Sequence, residues 1–154
     1  MKIRLLTISR QQDKNVEGIC TEYSGRLSHY VKFTTENIRP AKTSNPEAQK
    51  KSDTQAIIRR LKPNEIVVLL DESGDAPSTR EFSRWVENQM MKGIKTITFV
   101  IGGAFGTDES IHHYVHRMLS LSRLTLPHQI ATLVFMEQLY RCFTIIKGEK
   151  YHHE

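Results

Sequence analysis

The chain has 154 residues, of which 38% are hydrophobic and 25% are charged, and this balance argues against a disordered or fibrous protein. The length suits one domain with one hydrophobic core. A formal net charge of +5 and a pI near 9.3 favour a polyanionic partner such as RNA, although many basic proteins bind no nucleic acid.

Hydrophobic residues recur with a period of 2 in some segments and of about 3.6 in others, which predicts an α/β fold. The first half is predicted to contain a strand over residues 2–9, a helix over 16–30 and a strand over 31–38. A polar stretch then leads into a helix that ends near Leu61. Residues 65–71 form a continuous apolar run, as expected of a strand that is covered on both faces.

The next helix is predicted to begin at Ser78, because Ser78 and Glu81 have the spacing of a capping box. Its inward face would comprise Phe82, Trp85, Val86 and Met90. Residues 95–101 predict another buried strand, which ends at Gly102 and Gly103.

A helix capped by Thr107 or Asp108 is predicted to follow, and then a short strand at about 121–126. The helix would bury Ile111, Tyr114 or Val115, and Met118.

Pro127 suits the first turn of a long final helix. From Ile130 to Met136 this helix is apolar on nearly all sides, which one face on a sheet cannot explain. We therefore expect it to be central to the fold and also to pack against a second subunit.

Three stretches stand out, and all lie just beyond the carboxyl ends of predicted strands, at the edge of an open sheet where ligands bind. Residues 69–75 (LLDESGD) place Asp71 beside small residues, although an ordinary turn would use the same residue types. Residues 99–108 (FVIGGAFGTD) would let the backbone approach a nucleotide closely. They match neither the dinucleotide-binding fingerprint nor a P-loop, and a purely structural glycine turn stays open.

The third stretch comprises residues 119–153. Glu137 and Arg141 would share a helix face, either as an ordinary ion pair or as a functional pair. Tyr151, His152 and His153 lie at the end of the chain, either as a frayed tail or as a cluster for binding single-stranded RNA. No metal site is predicted, because no carboxylate or cysteine set accompanies the three histidines: His112, His113 and His116.

Together these stretches resemble the family of large-subunit ribosomal RNA pseudouridine N3-methyltransferases H, which are small SPOUT proteins. The resemblance covers the whole chain, and six segments carry it: MKIRLL (1–6), LDESG (70–74), FVIGGAFG (99–106), SLSRLTLPHQ (120–129), EQLYR (137–141) and YH (151–152). It implies a single SPOUT domain over 1–154. The implied fold is α/β, with a deep C-terminal trefoil knot and a mostly parallel sheet covered by helices on both faces.

The resemblance further implies that S-adenosylmethionine (SAM) is the methyl donor, with no metal, and that backbone groups hold it. The residues that would bind it are Leu70, Gly102, Gly103, Leu121, Ser122, Arg123, Leu124, Thr125 and Leu126.

The implied reaction is methylation of N3 of a pseudouridine in 23S ribosomal RNA within the assembled ribosome, by a homodimer. Candidates around the acceptor are His128, Arg141, Tyr151 and His152, and no single proton acceptor is singled out. Two alternatives stay open: a SPOUT methyltransferase acting on another RNA, and a non-catalytic ribosome-binding or assembly factor.

We expect a cytoplasmic protein that has no membrane partner. No apolar run approaches the 18 residues of a membrane span. Cys20 and Cys142 lack metal-ligand spacing and are too few for a disulfide scaffold, which fits a reducing compartment.

Overall fold

A parallel sheet with the strand order β2-β1-β4-β3-β5 forms the centre of the structure. The computed structural model describes residues 1–10 and 13–151. Its strands are β1 (Lys2–Ile8), β2 (Lys32–Ile38), β3 (Ile66–Asp75), β4 (Thr96–Ile101) and β5 (Arg117–Leu119). Its helices are α1 (Lys14–Ser28), α2 (Pro46–Ile58), α3 (Thr79–Met91), α4 (His128–Ile146) and a short 3₁₀ helix (Glu109–His113).

Helices cover both faces of the sheet, as predicted. Successive strand residues point to opposite faces. Leu5 and Phe99 therefore contribute to the core beneath α1, α3 and α4, whereas Leu6 and Val100 pack on the side of α2 and the 3₁₀ helix. The predicted α/β class with a parallel sheet is confirmed, and the trefoil knot stays a prediction.

Helix α4 is central to the fold, as expected. The ring of Phe135 lies 4.6 Å from that of Phe99, between ring centroids, and the middle of the helix is buried. The helix begins at His128, so Pro127 precedes its first turn and does not form part of it. No helix in the described part of the chain has both the length and the apolar character of a membrane span.

The capping box at the start of α3 is confirmed. The Ser78 hydroxyl accepts a hydrogen bond from the Glu81 N–H, and the Glu81 carboxylate accepts one from the Ser78 N–H at 2.7 Å. The prediction for Met90 was wrong, because its side chain is exposed and Gln89 is buried instead. Gln89, three residues after Val86, therefore completes the inward face of α3, and Met90, four residues after Val86, does not.

The path predicted between β4 and α4 was wrong in two places. Asp108 does cap a helix, by accepting the Ser110 N–H at 2.8 Å, but the helix is a single 3₁₀ segment that leaves Tyr114 exposed. Met118 lies in β5, and residues 121–126 form an irregular segment where a strand was predicted. The reason is that the chain already pairs with β3 from His116 onward. The His116 N–H donates to the Val67 carbonyl, and the His116 Nδ1 accepts the Val67 N–H.

Strand β3 extends further than predicted. It continues to Asp75 through a bulge, so that Leu70 and Asp75 both lie opposite Leu119 of β5. Gly74 packs directly on β5, since a Cβ atom there would be 2.5 Å from the Leu119 nitrogen. Residues 71–73 therefore belong to an irregular part of the strand at the carboxyl edge of the sheet, where a simple turn was expected, and Glu72 and Ser73 are exposed.

Candidate functional site

A cavity of about 760 Å³ opens at the carboxyl ends of β3 and β4. Three segments form most of its wall: residues 69–73 of β3, residues 101–107 at and after the end of β4, and residues 121–128 with the exception of Arg123. Ala131 of α4 completes it. This edge of an open α/β sheet is where ligands usually bind, because strand ends and helix starts meet there. The cavity is therefore the candidate site.

Most of the residues predicted to bind a cofactor lie along this one cavity. Arg123 is the exception, since it does not contribute to the cavity wall. The residues that do are Leu70, Gly102, Gly103, Leu121, Ser122, Leu124, Thr125 and Leu126. Their role in binding stays a prediction.

The turn after β4 is tight and exposes mainly backbone. Gly106 has φ +74°, and its N–H donates to the Gly103 carbonyl at 2.9 Å. A Cβ atom at Gly102 would lie 2.9 Å from the Thr107 methyl group, and one at Gly103 would lie 2.9 Å from a carboxylate oxygen of Asp53 on α2. The two glycines thus bring backbone to the cavity where any side chain would force neighbours apart.

The ionisable side chains of the cavity wall are two carboxylates and one imidazole, those of Asp71, Glu72 and His128. Asp71 accepts the Ser73 N–H at 2.9 Å, and Glu72 accepts the Thr125 hydroxyl at 3.2 Å, which links the β3 bulge to the segment before α4. Among the described residues that form the wall there is no lysine or arginine. The cavity therefore suits a neutral or cationic ligand better than a nucleoside polyphosphate.

His128 lies where two cavities meet. It contributes to the candidate site and also to a second cleft of about 470 Å³ between α1, α4 and strands β1 and β2. Burial lowers the pKa of His128 below its usual value, so the imidazole is neutral at pH 7. A neutral imidazole has one nitrogen that can accept a proton.

Arg141 and Tyr151 lie away from this cavity. Thirteen residues separate Arg141 from His128 along α4, which at 1.5 Å per residue is about 20 Å. The Arg141 Nε–H donates to Glu137 at 3.0 Å, the Tyr151 hydroxyl donates to the same oxygen at 3.3 Å, and the guanidinium lies 4.9 Å from the Tyr151 ring centroid. The hydrogen bond to Glu137 raises the pKa of Arg141. His152 lies outside the described residues.

Two features of the site were missed from the sequence. Phe105, an exposed aromatic side chain, belongs to the cavity wall, and its position in the glycine-rich turn could have indicated this. Asp53 is buried on α2 behind Gly103, and nothing in its sequence context separates it from an ordinary polar helix residue. Within residues 1–10 and 13–151, no three His, Cys, Asp or Glu side chains are grouped as a metal site would need.

Comparison with known proteins gives consistent results over the whole chain. Residues 1–152 match the family described as "Predicted SPOUT methyltransferase". Ribosomal RNA large subunit methyltransferase H of Flavobacterium psychrophilum is 38% identical and that of Porphyromonas gingivalis 40%, each aligned over 100% of both chains. A SpoU methyltransferase from Streptomyces viridochromogenes, whose structure was solved with AdoMet, matches this chain with a TM-score of 0.47 and 13% sequence identity. The match covers 90% of this chain and 56% of that protein, and a similarity this weak carries no argument about function.

Proposed function

The chain belongs to the SPOUT methyltransferases, in the family of ribosomal RNA large subunit methyltransferase H, and we propose that it transfers a methyl group from SAM to N3 of a pseudouridine in 23S ribosomal RNA. Its relatives are named for methylation of large-subunit ribosomal RNA. The observation that carries the proposal beyond their names is the cavity at the carboxyl ends of β3 and β4, which holds most of the predicted cofactor residues.

The cavity fits a methyl donor of this kind. Backbone of the glycine turn and of residues 121–126 offers donors and acceptors to an adenine edge, and leucine side chains offer apolar surface to its faces. Acidic side chains without lysine or arginine suit a ligand that carries a sulfonium and an ammonium group. We propose that the residues holding SAM are Leu70, Gly102, Gly103 and those of 121–126.

SAM supplies an electrophilic methyl group, so the protein's task is alignment of the acceptor and removal of its imide proton. Of the three described candidates around the acceptor, His128 is the one that contributes to the cavity wall, which supports a role for it there. Because burial keeps its imidazole neutral, we assign it the role of accepting the N3 proton or orienting the base that carries it.

The active protein is proposed to be a homodimer. Along α4, Ile130 is exposed and Leu133 and Val134 are only partly buried, so this chain leaves an apolar strip uncovered. Arg141 lies about 20 Å along the helix from His128, as the rise per residue requires, and the ring of Tyr151 lies against the Arg141 guanidinium. A role for them at the acceptor therefore requires the cavity of a second copy.

We further propose that the substrate is the assembled ribosome, in the cytoplasm, and that residues 1–154 act as one SPOUT domain. A chain of 154 residues with a net charge of +5 has little RNA-binding surface of its own, too little to find one RNA loop unaided. The shape of the ribosome would supply the remaining contacts.

The test is methyl transfer from labelled SAM to ribosomes isolated from a strain that lacks this gene, with the labelled nucleotide mapped by mass spectrometry. We expect label on N3 of one pseudouridine of 23S ribosomal RNA. Gly102→Val is the donor-binding control, because its side chain would collide with Thr107 and close the turn. Gly18→Ala is the matched control, since a Cβ atom there meets nothing within 4 Å.

Two results would reject the proposal. Label on isolated transfer RNA or another small RNA, with none on ribosomes, would assign the enzyme a different substrate. SAM binding without methylation of any RNA would favour an assembly factor that keeps the cavity only as part of its fold.

A further inference from the structure

A buried carboxylate lies directly behind the wall of the cavity. Asp53, on α2, is 3% exposed, and it is not itself part of the wall. One of its oxygens is 2.9 Å from the place where Gly103 would carry a Cβ atom, and Gly103 does form the wall. A single glycine residue therefore separates this carboxylate from the cavity.

The two oxygens of Asp53 differ in their partners. Oδ1 accepts the Ala41 N–H at 2.8 Å. Oδ2, the oxygen that faces Gly103, has no hydrogen bond to another described residue, and no described cation pairs with the carboxylate. Removing a carboxylate from water without a cation is costly, so a positive charge from outside the chain is the natural partner.

The position of this charge is fixed by its neighbours on α2. The Thr54 hydroxyl accepts the Asp108 N–H at 2.9 Å, and the Gln55 amide donates to the Ser110 hydroxyl at 3.2 Å. These bonds tie α2 to the segment that follows the glycine turn. Asp53 is thus held beside the cavity by the protein's own contacts, which is the condition for a preorganised electrostatic contribution.

The other carboxylates near the cavity are placed differently. Asp71 is partly exposed and Glu72 is exposed, so water screens their charges. The field of Asp53 crosses only protein, where the effective dielectric constant is lower and a charge acts more strongly. Asp53 is therefore the carboxylate whose charge a bound ligand would experience most directly.

We propose that Asp53 provides the counter-charge for the sulfonium of the methyl donor, and that it makes the cavity prefer SAM over the demethylated product S-adenosylhomocysteine. This inference rests on the proposed function. The product carries a neutral thioether in place of the sulfonium and keeps the same ammonium and carboxylate groups. Asp53 therefore stabilises the donor selectively and loses its partner once the methyl group has left, which favours release of the product.

The test measures the dissociation constants of SAM and of S-adenosylhomocysteine by isothermal titration calorimetry, for the wild type and for Asp53→Asn. The amide keeps an oxygen for the Ala41 N–H and removes the charge. We expect SAM to bind roughly tenfold more weakly to the variant, as loss of one nearby charge in protein surroundings implies, and S-adenosylhomocysteine to bind within about twofold of its wild-type affinity. Both ligands titrate the same folded molecules, so incomplete folding does not alter the ratio.

Two control variants separate charge from structure. Thr54→Val removes the neighbouring bond to Asp108 without changing the charge, and Glu47→Gln removes a carboxylate from the exposed first turn of the same helix. Both should keep the wild-type ratio of the two affinities. If Asp53→Asn does not fold, Asp53→Ser is the second variant, with the same expected change in the ratio.

Equal weakening of both ligands by Asp53→Asn would overturn the inference and leave Asp53 a structural role. Unchanged binding of both would overturn it as well. If the wild type itself binds neither ligand, the proposed function fails and the inference fails with it, a result that differs clearly from the other two.

Discussion

Gly74 shows how one missing side chain can determine a strand pairing. A Cβ atom at this position would lie 2.5 Å from the Leu119 nitrogen and 2.6 Å from the Met118 carbonyl carbon. Both neighbours are backbone atoms of β5, which a rotamer change cannot move. The bulge that carries Asp71 to the cavity therefore depends on glycine here.

Gly74→Ala is expected to lower the free energy of unfolding by about 2 kcal/mol, because β3 and β5 must separate to admit the methyl group. Urea denaturation followed by circular dichroism measures this. Gly18→Ala, in α1 with nothing within 4 Å, should instead stabilise the protein by about 0.5–1 kcal/mol. Equal effects of the two substitutions would contradict the close contact.

His128 makes stability depend on pH. Its pKa in the folded protein is lowered by burial, so the unfolded chain takes up a proton first as the pH falls. Stability is therefore lost from about pH 6.5, the usual value for histidine, down to the lowered pKa. We expect His128→Gln to reduce the fall in melting temperature between pH 7 and pH 5, whereas the exposed control His113→Gln should retain it. An unchanged profile in His128→Gln would refute the assignment.

Among the elements, β1, β4 and the start of β3 are joined by a buried ion pair. Arg4 Nη1 donates to both carboxylate oxygens of Glu65, at 2.7 and 2.9 Å, and the Thr98 hydroxyl donates to Glu65 at 2.8 Å. The Arg4 guanidinium also donates to the carbonyl of Arg60, just after the end of α2. This network joins three strands and a helix on the face of the sheet covered by α2.

Glu65→Gln is expected to destabilise the protein by about 3 kcal/mol, because it leaves the buried Arg4 charge with only the more distant carboxylate of Glu36, at 3.7 Å. The exposed pair of Glu22 and Arg26 on α1 provides the control, and Glu22→Gln should cost less than about 0.5 kcal/mol. Thermal and urea unfolding of the two variants provide the comparison. A Glu65→Gln variant as stable as Glu22→Gln would show that the network contributes little.

Elements with local signals were predictable from the sequence, and those that depend on distant partners were not. Ser78 and Glu81 determine the start of α3 by themselves, so the prediction was correct. The β3 bulge depends on the approach of Leu119, nearly fifty residues later, and residues 121–126 are irregular because β5 has already paired at His116. The glycine turn could be placed at the site, whereas Asp53 could not, because its role depends on how α2 packs behind Gly103.

At the scale of the whole molecule, the exposed strip of α4 predicts self-association. Ile130→Asp combined with Val134→Asp should convert the proposed dimer into a monomer, because two charges would be buried without partners. Size-exclusion chromatography with light scattering gives the mass directly. Met91→Asp is the control, since Met91 is 72% exposed on α3 and its loss should leave the dimer intact. A monomeric wild type, or a double variant that stays dimeric, would refute the prediction.

The strand order also governs when the protein can fold during its own synthesis. β1 is made first, and Lys2 pairs with Lys32 on one side but with Thr96 on the other. At translation rates of about 5–20 residues per second, roughly 3 to 13 seconds pass between the synthesis of Lys32 and that of Thr96. For that time β1 has one open edge, and such an edge can pair with another nascent chain. Slower translation before β4 would lengthen this exposure, and a high local density of translating ribosomes would make it more hazardous.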